Sequence, residues 1–471
     1  MGGLSIELLA LLGILGAVLI FVITARFKAA LFAYAGMLFA SMIAAPIDWL
    51  GNPVQTWMTP LQLRRSEIFA ACGTMLLAAA LLHLPRIQTK NIAFQAVLVL
   101  CIGMYSGFIR IIASDSPMSG IETIAFTLLT ILPAMLVVPA LIRDEQDLLR
   151  FLRIIAFVSA VWFAACVVQF FTRRIVLTLG GGYTRFQGML SNPQHAGAYL
   201  AVATWVCIFL VMNDPKLAWR PLWIGLSVVN GVMLAWTGSR TGLGMFSIGL
   251  VAIMYARIGA AILFLPIVGG IFAVALNFVI EQLGGDVNYN RGSGGGDTRT
   301  GAWVVLWEQF LESPLLGTGA REETKFSENS FLFGLATYGL VMGVILVTFL
   351  LYSGWLCLKL WRAKHWLDPL HRRFVDLFIG FNAMYFAGAN FEGYLISRVS
   401  ASLTFMLGFS ALGPYLLQKA RQAQHEAEWA DPHAADAELL PEDTAGYANY
   451  GRESSEPPAQ SPPERGPDSE R

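Results

Sequence analysis

The sequence predicts an all-α polytopic membrane protein, a bundle of about 12–13 transmembrane helices, on three observations. Apolar residue types make up 56% of the 471 residues and charged types only 14%, whereas water-facing domains carry roughly a quarter charged residues. Mean hydropathy is correspondingly high, at +0.58. The apolar residues fall into runs of about 20, the length a helix needs to cross a hydrocarbon core. These runs hold almost no Asp, Glu, Lys or Arg, and in such surroundings closed helices satisfy the backbone where open strands do not. A secreted disulfide scaffold, a disordered chain and a soluble nucleic-acid binder are excluded. The cysteines Cys72, Cys101, Cys166, Cys207 and Cys357 lie in apolar runs without a CxxC pair and read as small buried hydrophobes.

In chain order the spans lie near 4–24, 29–45, 67–84, 92–109, 122–142, 152–171, 195–212, 220–237, 241–257, 259–280, 329–356, 374–391 and 399–417. The first has no basic residue before it and is followed by Arg26 and Lys28, so it reads as a span and not as a cleaved signal. Linker 359–373 carries five Lys or Arg and is expected on the cytoplasmic side. Alternation puts 143–153, 214–220 and the turn at Arg257 on that side too. The sequence from 281 to 327 then forms one long external loop. Thirteen spans place the N-terminus outside and twelve place it inside; Arg64 and Arg65 fit the count of thirteen poorly.

Residues 1–418 are expected to form the transmembrane catalytic domain, with a surplus of seven positive charges. Residues 419–471 carry 12 Asp or Glu against 5 Lys or Arg and end in a Pro- and Ser-rich run. Such a segment buries too little surface to offset its ordering entropy, so a disordered acidic cytoplasmic tail is expected.

Charged residues gather at helix ends and in external loops, which favours a site at the outer face over a transport path. GGGYTRFQGMLSNPQHAGAYL brings Arg185, Gln187, Asn192 and His195 to the mouth of a span. WTGSRTGLG sets Arg240 in a tight turn between two apolar helices, suited to a phosphate of substrate or of lipid. In the long loop, Asp297 or Thr298 caps a short amphipathic helix stopped at Ser313-Pro314. Arg299 enters just before it. Trp303, Val304, Trp307 and Phe310 share its apolar face, directed at the membrane interface. Glu328, Asn329 and Ser330 open the next span. NFEGYLISR places Glu392 and Arg398 in a further external turn, where they are candidates for substrate contact or for pairing with each other.

The order SNPQH…AYL, TGSRTG, DTRTGAWVVLWEQFLESPLLGTG and ENSFLFGLATYGLVMG resembles the O-antigen ligase and Wzy-type polysaccharide polymerase superfamily over about residues 180–345. The resemblance implies a GT-C-like bundle in the bacterial inner membrane with its site facing the periplasm. It implies an undecaprenyl-diphosphate-linked oligosaccharide as donor and an acceptor glycan; the external loops hold no DxD pattern or His/carboxylate cluster, so no metal or cofactor is expected, and composition argues against nucleic acid. A chain-length regulator is a further implied partner. Carried over by motif, Arg240 and Arg299 bind the diphosphate, whose developing charge a planar guanidinium fork neutralises. Arg185, Gln187, Asn192, His195, Asn329, Glu392 and Arg398 are the substrate-binding candidates. Many relatives have His-Asn where this chain has Glu328-Asn329, so Glu328 is the candidate general base, with His195 as second candidate. A capping role for Glu328 is the competing account. A polymerase is favoured; a ligase acting on lipid A-core shares the donor chemistry, and a lipid-linked glycan flippase is the alternative from another class.

Overall fold

The computed structural model describes residues 16, 26–44, 58–87, 91–113, 116–173, 177–180, 183–258, 298–319, 329–396 and 399–430. The expected spans near 4–24 and 259–280 therefore lie outside the described residues, as do Asp297, Glu328, Arg398 and the first part of the long loop. The elements are α1 (Ala30–Ser41), α2 (Arg65–Leu82), α3 (Phe94–Ala113), α4 (Pro117–Leu141) and α5 (Glu145–Arg173). A hairpin, β1 (Leu177–Gly180) and β2 (Tyr183–Phe186), precedes α6 (Pro193–Asn213), α7 (Arg220–Trp236) and α8 (Arg240–Ile258). The chain continues through α9 (Thr298–Glu312), α10 (Ser330–Ala363), α11 (Pro369–Ala389), α12 (Ala401–Ser410) and α13 (Leu412–Ala430).

Among the described residues, seven helices are long and apolar enough to cross a membrane: α2 to α6, the helix ending at Trp236 and the one starting at Ser330. Phe27–Ser41 and Arg240–Tyr255 are apolar but shorter. The protein is thus a multi-pass helical membrane protein. The chain divides into two compact units, Met1–Ala420 and Arg421–Arg471. Helical structure continues to Ala430, past residue 419 where disorder was expected, because KARQAQHEAEWA consists largely of strong helix formers.

Polar pairs join the helices where the sequence inserts amides into apolar runs. Gln95 of α3 donates to Ser353 of α10 at 2.6 Å and to Asn382 of α11 at 2.8 Å. Ser159 of α5 donates to Asn230 of α7 at 3.0 Å. Without water as competitor, such bonds hold helices together. Small residues set the crossing of α6 and α8. A Cβ added at Gly242 of α8 would lie 2.7 Å from the backbone of Gly197 in α6. That crossing brings the N-terminal ends of α6 and α8 side by side, which is where Gln194, His195, Arg240 and Thr241 reside.

α10 is broken at Gly339, whose φ of 76° and ψ of −170° suit glycine alone. An unpaired backbone group at membrane depth costs several kcal/mol, and here the chain after α9 supplies partners. Leu340 N donates to Pro314 O at 2.8 Å, while Thr318 N and Gly319 N donate to Ala336 O and Thr337 O at 2.9 and 3.0 Å. The segment SPLLGTG therefore splices into the broken helix.

Contacts between linkers define two ends of the bundle. At one, His371, Asp368 and Glu145 meet, Arg153 pairs with Asp214, and Arg373 donates to Asn213. At the other lie the N-termini of α6, α8 and α10 and the C-terminus of α11. The basic linkers assigned to one side by alternation do gather at one end.

Candidate functional site

The site begins with the turn between α7 and α8. Thr237 and Ser239 build it locally: Ser239 N donates to Thr237 Oγ1 at 3.1 Å, and Gly242 N donates to Ser239 Oγ at 3.1 Å, capping α8. Arg185, at the end of the β-hairpin, donates its Nε to Thr237 O at 2.7 Å. This pins the hairpin to the turn. Arg240 is then the first residue of α8, exposed and without a partner among the described residues.

Arg299, one residue into α9, reaches the same helix end. Its Nη2 donates to Thr241 Oγ1 at 3.2 Å and lies 3.5 Å from Glu392 Oε1. The guanidinium stands 5.2 Å from the ring centre of Phe391, a cation–π distance. Glu392 is buried, with a side chain 5% exposed, so its carboxylate is held by several groups. Gln194 faces it, with the amide nitrogen 3.1 and 3.3 Å from the two carboxylate oxygens in the orientation that satisfies both residues. Ser330 Oγ donates to Glu392 O at 2.6 Å. Asn329 caps α10 by accepting from Phe331 N and Leu332 N, and donates to Asn390 O at 3.0 Å. α6, α8, α9 and the turn after α11 thus converge on one carboxylate and one guanidinium, and α10 holds the backbone of that turn.

Beside this cluster is a cavity of about 410 Å³ lined by Arg65, Arg110, His195, Tyr338, Tyr394 and neighbouring apolar groups. Arg110, near the end of α3, donates to the Tyr338 hydroxyl from Nη2 at 2.9 Å and from Nε at 3.3 Å. Tyr338 directly precedes the break at Gly339, so the splice that breaks α10 also places this phenol. Tyr394 lies two residues after Glu392, with its ring 6.3 Å from that of His195. Its buried hydroxyl has no partner among the described residues. Burial pushes this phenol well above its ordinary pKa and Glu392 adds to the effect, against the opposing charge of Arg299. It remains a hydrogen-bond donor at any physiological pH.

Arg299, Glu392, Gln194 and the Thr241 end of α8 are brought together, with His195 and Asn329 adjacent in sequence to members of that group. Asn192 serves as the N-cap of α6, accepting from Gln194 N at 2.8 Å. Gln187 is buried. Glu392 meets Arg299 and Gln194, neither of which the sequence alone suggested as its partner. Glu328 and Arg398 lie outside the described residues; the cap of α10 belongs to Asn329. The helix over Thr298–Glu312 forms as expected, but its aromatic face divides. Trp303 packs toward Phe391 at 6.4 Å between ring centres, while Val304, Trp307 and Leu311 are exposed. The bundle takes up Ala302 and Leu306, so the outward apolar row is turned from the one that spacing suggested.

Arg65, Arg110, Tyr338 and Tyr394 were missed. Arg110 falls in the last turn of α3, where a snorkelling arginine is ordinary, so nothing local marked it. Arg65 did leave a trace, as one of two arginines that fitted the span count poorly. In the structure it lines the cavity. Among the described residues, the His and carboxylate grouping spaced for a metal ion is Glu145, Asp368 and His371, at the opposite end. The arginine end gathers guanidinium groups, hydroxyl groups and one carboxylate beside Arg299, a set chemically able to bind an anion. No protein-family model matches the chain, and no curated protein matches it.

Proposed function

We propose that the chain is a metal-independent membrane glycosyltransferase. It polymerises undecaprenyl-diphosphate-linked repeat units into exopolysaccharide or O-antigen- or capsule-type polysaccharide, on a GT-C-like bundle in the bacterial inner membrane. The observation that carries the reading is the meeting of Arg299 with Thr241, one residue beyond Arg240, beside a cavity furnished with Arg65, Arg110 and His195. A lipid diphosphate is a leaving group whose negative charge grows as the anomeric bond breaks. Fixed guanidinium groups in a site of low dielectric constant stabilise that charge more than they stabilise the bound ground state. Glu392 and Phe391 keep Arg299 from collapsing onto other acceptors. Direct attack by the acceptor hydroxyl inverts the anomeric centre and needs one base, for which Glu328 is the first candidate and His195 the second. The basic linkers at the far end support the cytoplasmic assignment of that end, and with it a periplasmic reading of the arginine end.

Gene deletion with analysis of surface glycans and lipid-linked intermediates tests the proposal. Accumulated single lipid-linked repeat units are the expected result. Accumulated long lipid-linked chains convert the reading to a ligase, and no change in either pool overturns it.

A further inference from the structure

A second cavity, of about 330 Å³, lies at the opposite end of the bundle among the ends of α6, α8 and α10 and the start of α11. Its charged lining is Lys364, Arg372, Arg373 and Asp376, three cations against one carboxylate. Lys364 pairs with Asp376 at 2.5 Å, which leaves the surplus on the two arginines. Both are exposed, and neither has a carboxylate partner among the described residues. Neutral acceptors hold them in place. Arg372 donates from Nε to Leu367 O at 2.6 Å and from Nη2 to His365 O at 2.9 Å, and Arg373 donates from Nη1 to Asn213 Oδ1 at 2.9 Å. Asn213 is itself anchored on Phe209 O at 2.8 Å. Each guanidinium is therefore oriented and keeps further N–H groups for an outside acceptor.

The rest of the wall is apolar: Phe209, Met212, Ile253 and Pro369. A free phosphate has no use for such a wall, whereas a lipid places its phosphate among the cations and an apolar part against Met212 and Pro369.

We propose that this cleft binds a phosphate-bearing anion, namely the headgroup of an anionic membrane lipid. The site is independent of the glycosyltransferase reading, since it lies at the other end of the bundle. Native mass spectrometry and thermal unfolding of the purified full-length protein in detergent test it, with phosphatidylglycerol, phosphatidylethanolamine or inorganic phosphate added in separate arms. Phosphatidylglycerol should be retained and raise Tm, and the zwitterionic lipid should do neither. Arg373→Gln, which disturbs one side-chain contact, should weaken phosphatidylglycerol binding about five-fold, the worth of one basic residue near an anionic lipid. Asp376→Asn, which raises the local charge, should strengthen it; the lipid-induced shift is read against each variant's own baseline Tm. Equal retention of both lipids, or unchanged phosphatidylglycerol binding by both variants, overturns the site. Stabilisation by inorganic phosphate without a response to phosphatidylglycerol overturns the lipid as occupant.

Discussion

At the His371 end of the bundle, cations meet carboxylates. Arg153 forks onto Asp214 at 2.6 and 2.8 Å, and Lys28 and Arg150 share one oxygen of Asp147 at 2.6 and 2.8 Å. At the other end, apart from the exposed Arg64–Glu67 pair, the described contacts of the arginines run to a threonine hydroxyl, a phenol, a backbone carbonyl and one carboxylate, while Arg65 and Arg240 have no partner among the described residues. Outside the cleft of Arg372 and Arg373, which neutral acceptors hold, the two ends use the same residue type for opposite purposes. A guanidinium matched to a carboxylate fixes helices to one another, and a guanidinium matched to neutral acceptors retains most of its field for something that arrives.

The sharpest test of that contrast is Glu328→Gln. Loss of general-base help costs about 10²–10⁴-fold in rate, measured with purified enzyme and a lipid-linked donor. Near-wild-type specific activity removes Glu328 from the mechanism and promotes His195. Glu328→His is expected to retain activity.

Next in size is Arg299→Ala, with Arg240→Ala beside it. Removal of one charge-stabilising donor costs about 10²–10³-fold in turnover, with protein abundance in the membrane maintained. Lysine should rescue poorly because an ammonium lacks the planar fork. Full activity with both arginines replaced by alanine dissolves the functional half of the comparison.

At the paired end the effect should fall on stability. Asp214→Asn leaves Arg153 without its carboxylate and should cost about 3 kcal/mol, the low end for a broken buried pair because Arg153 retains some access to water. Burial by itself pushes the Asp214 carboxyl up, but hydrogen bonds from Arg153, Lys216 N and Trp223 outweigh it and hold the carboxyl below its ordinary value. A depressed folded value makes this stability fully present above the unfolded pKa of about 4. It is lost as the pH falls through the folded value. Melting curves of wild type and Asp214→Asn should therefore converge in acid; a constant gap down to pH 2 contradicts the assignment.

The smallest effect is expected at Arg64–Glu67, an exposed pair at 2.9 Å with side chains 53% and 56% exposed. Arg64→Ala should change stability by less than about 0.5 kcal/mol and leave turnover unchanged. A large loss of activity would extend the cationic site beyond its neighbour Arg65.

Some of this could be read directly from residue order. Apolar runs of membrane length report their own helices, because each run must bury its backbone polar groups within itself. For the same local reason the stop at Ser313-Pro314, the helix opening at Arg240 and the helix beginning at Thr298 were legible. The gathering of the basic linkers at one end followed from alternation alone.

What the sequence by itself determined, then, is the helical membrane class, the helix limits set by caps and prolines, and the residue types capable of binding a diphosphate. Tertiary structure decided which of those residues meet. The pairing of Arg299 with Glu392 joins residues 93 apart in sequence, and Arg110 reaches Tyr338 across 228. No periodicity encodes such separations. They arise where Gly197 and Gly242 let two helices close, and where Gly339 opens a third to receive the chain after Pro314. Those contacts depend on the shapes of partners far along the chain, and a local pattern carries no record of them.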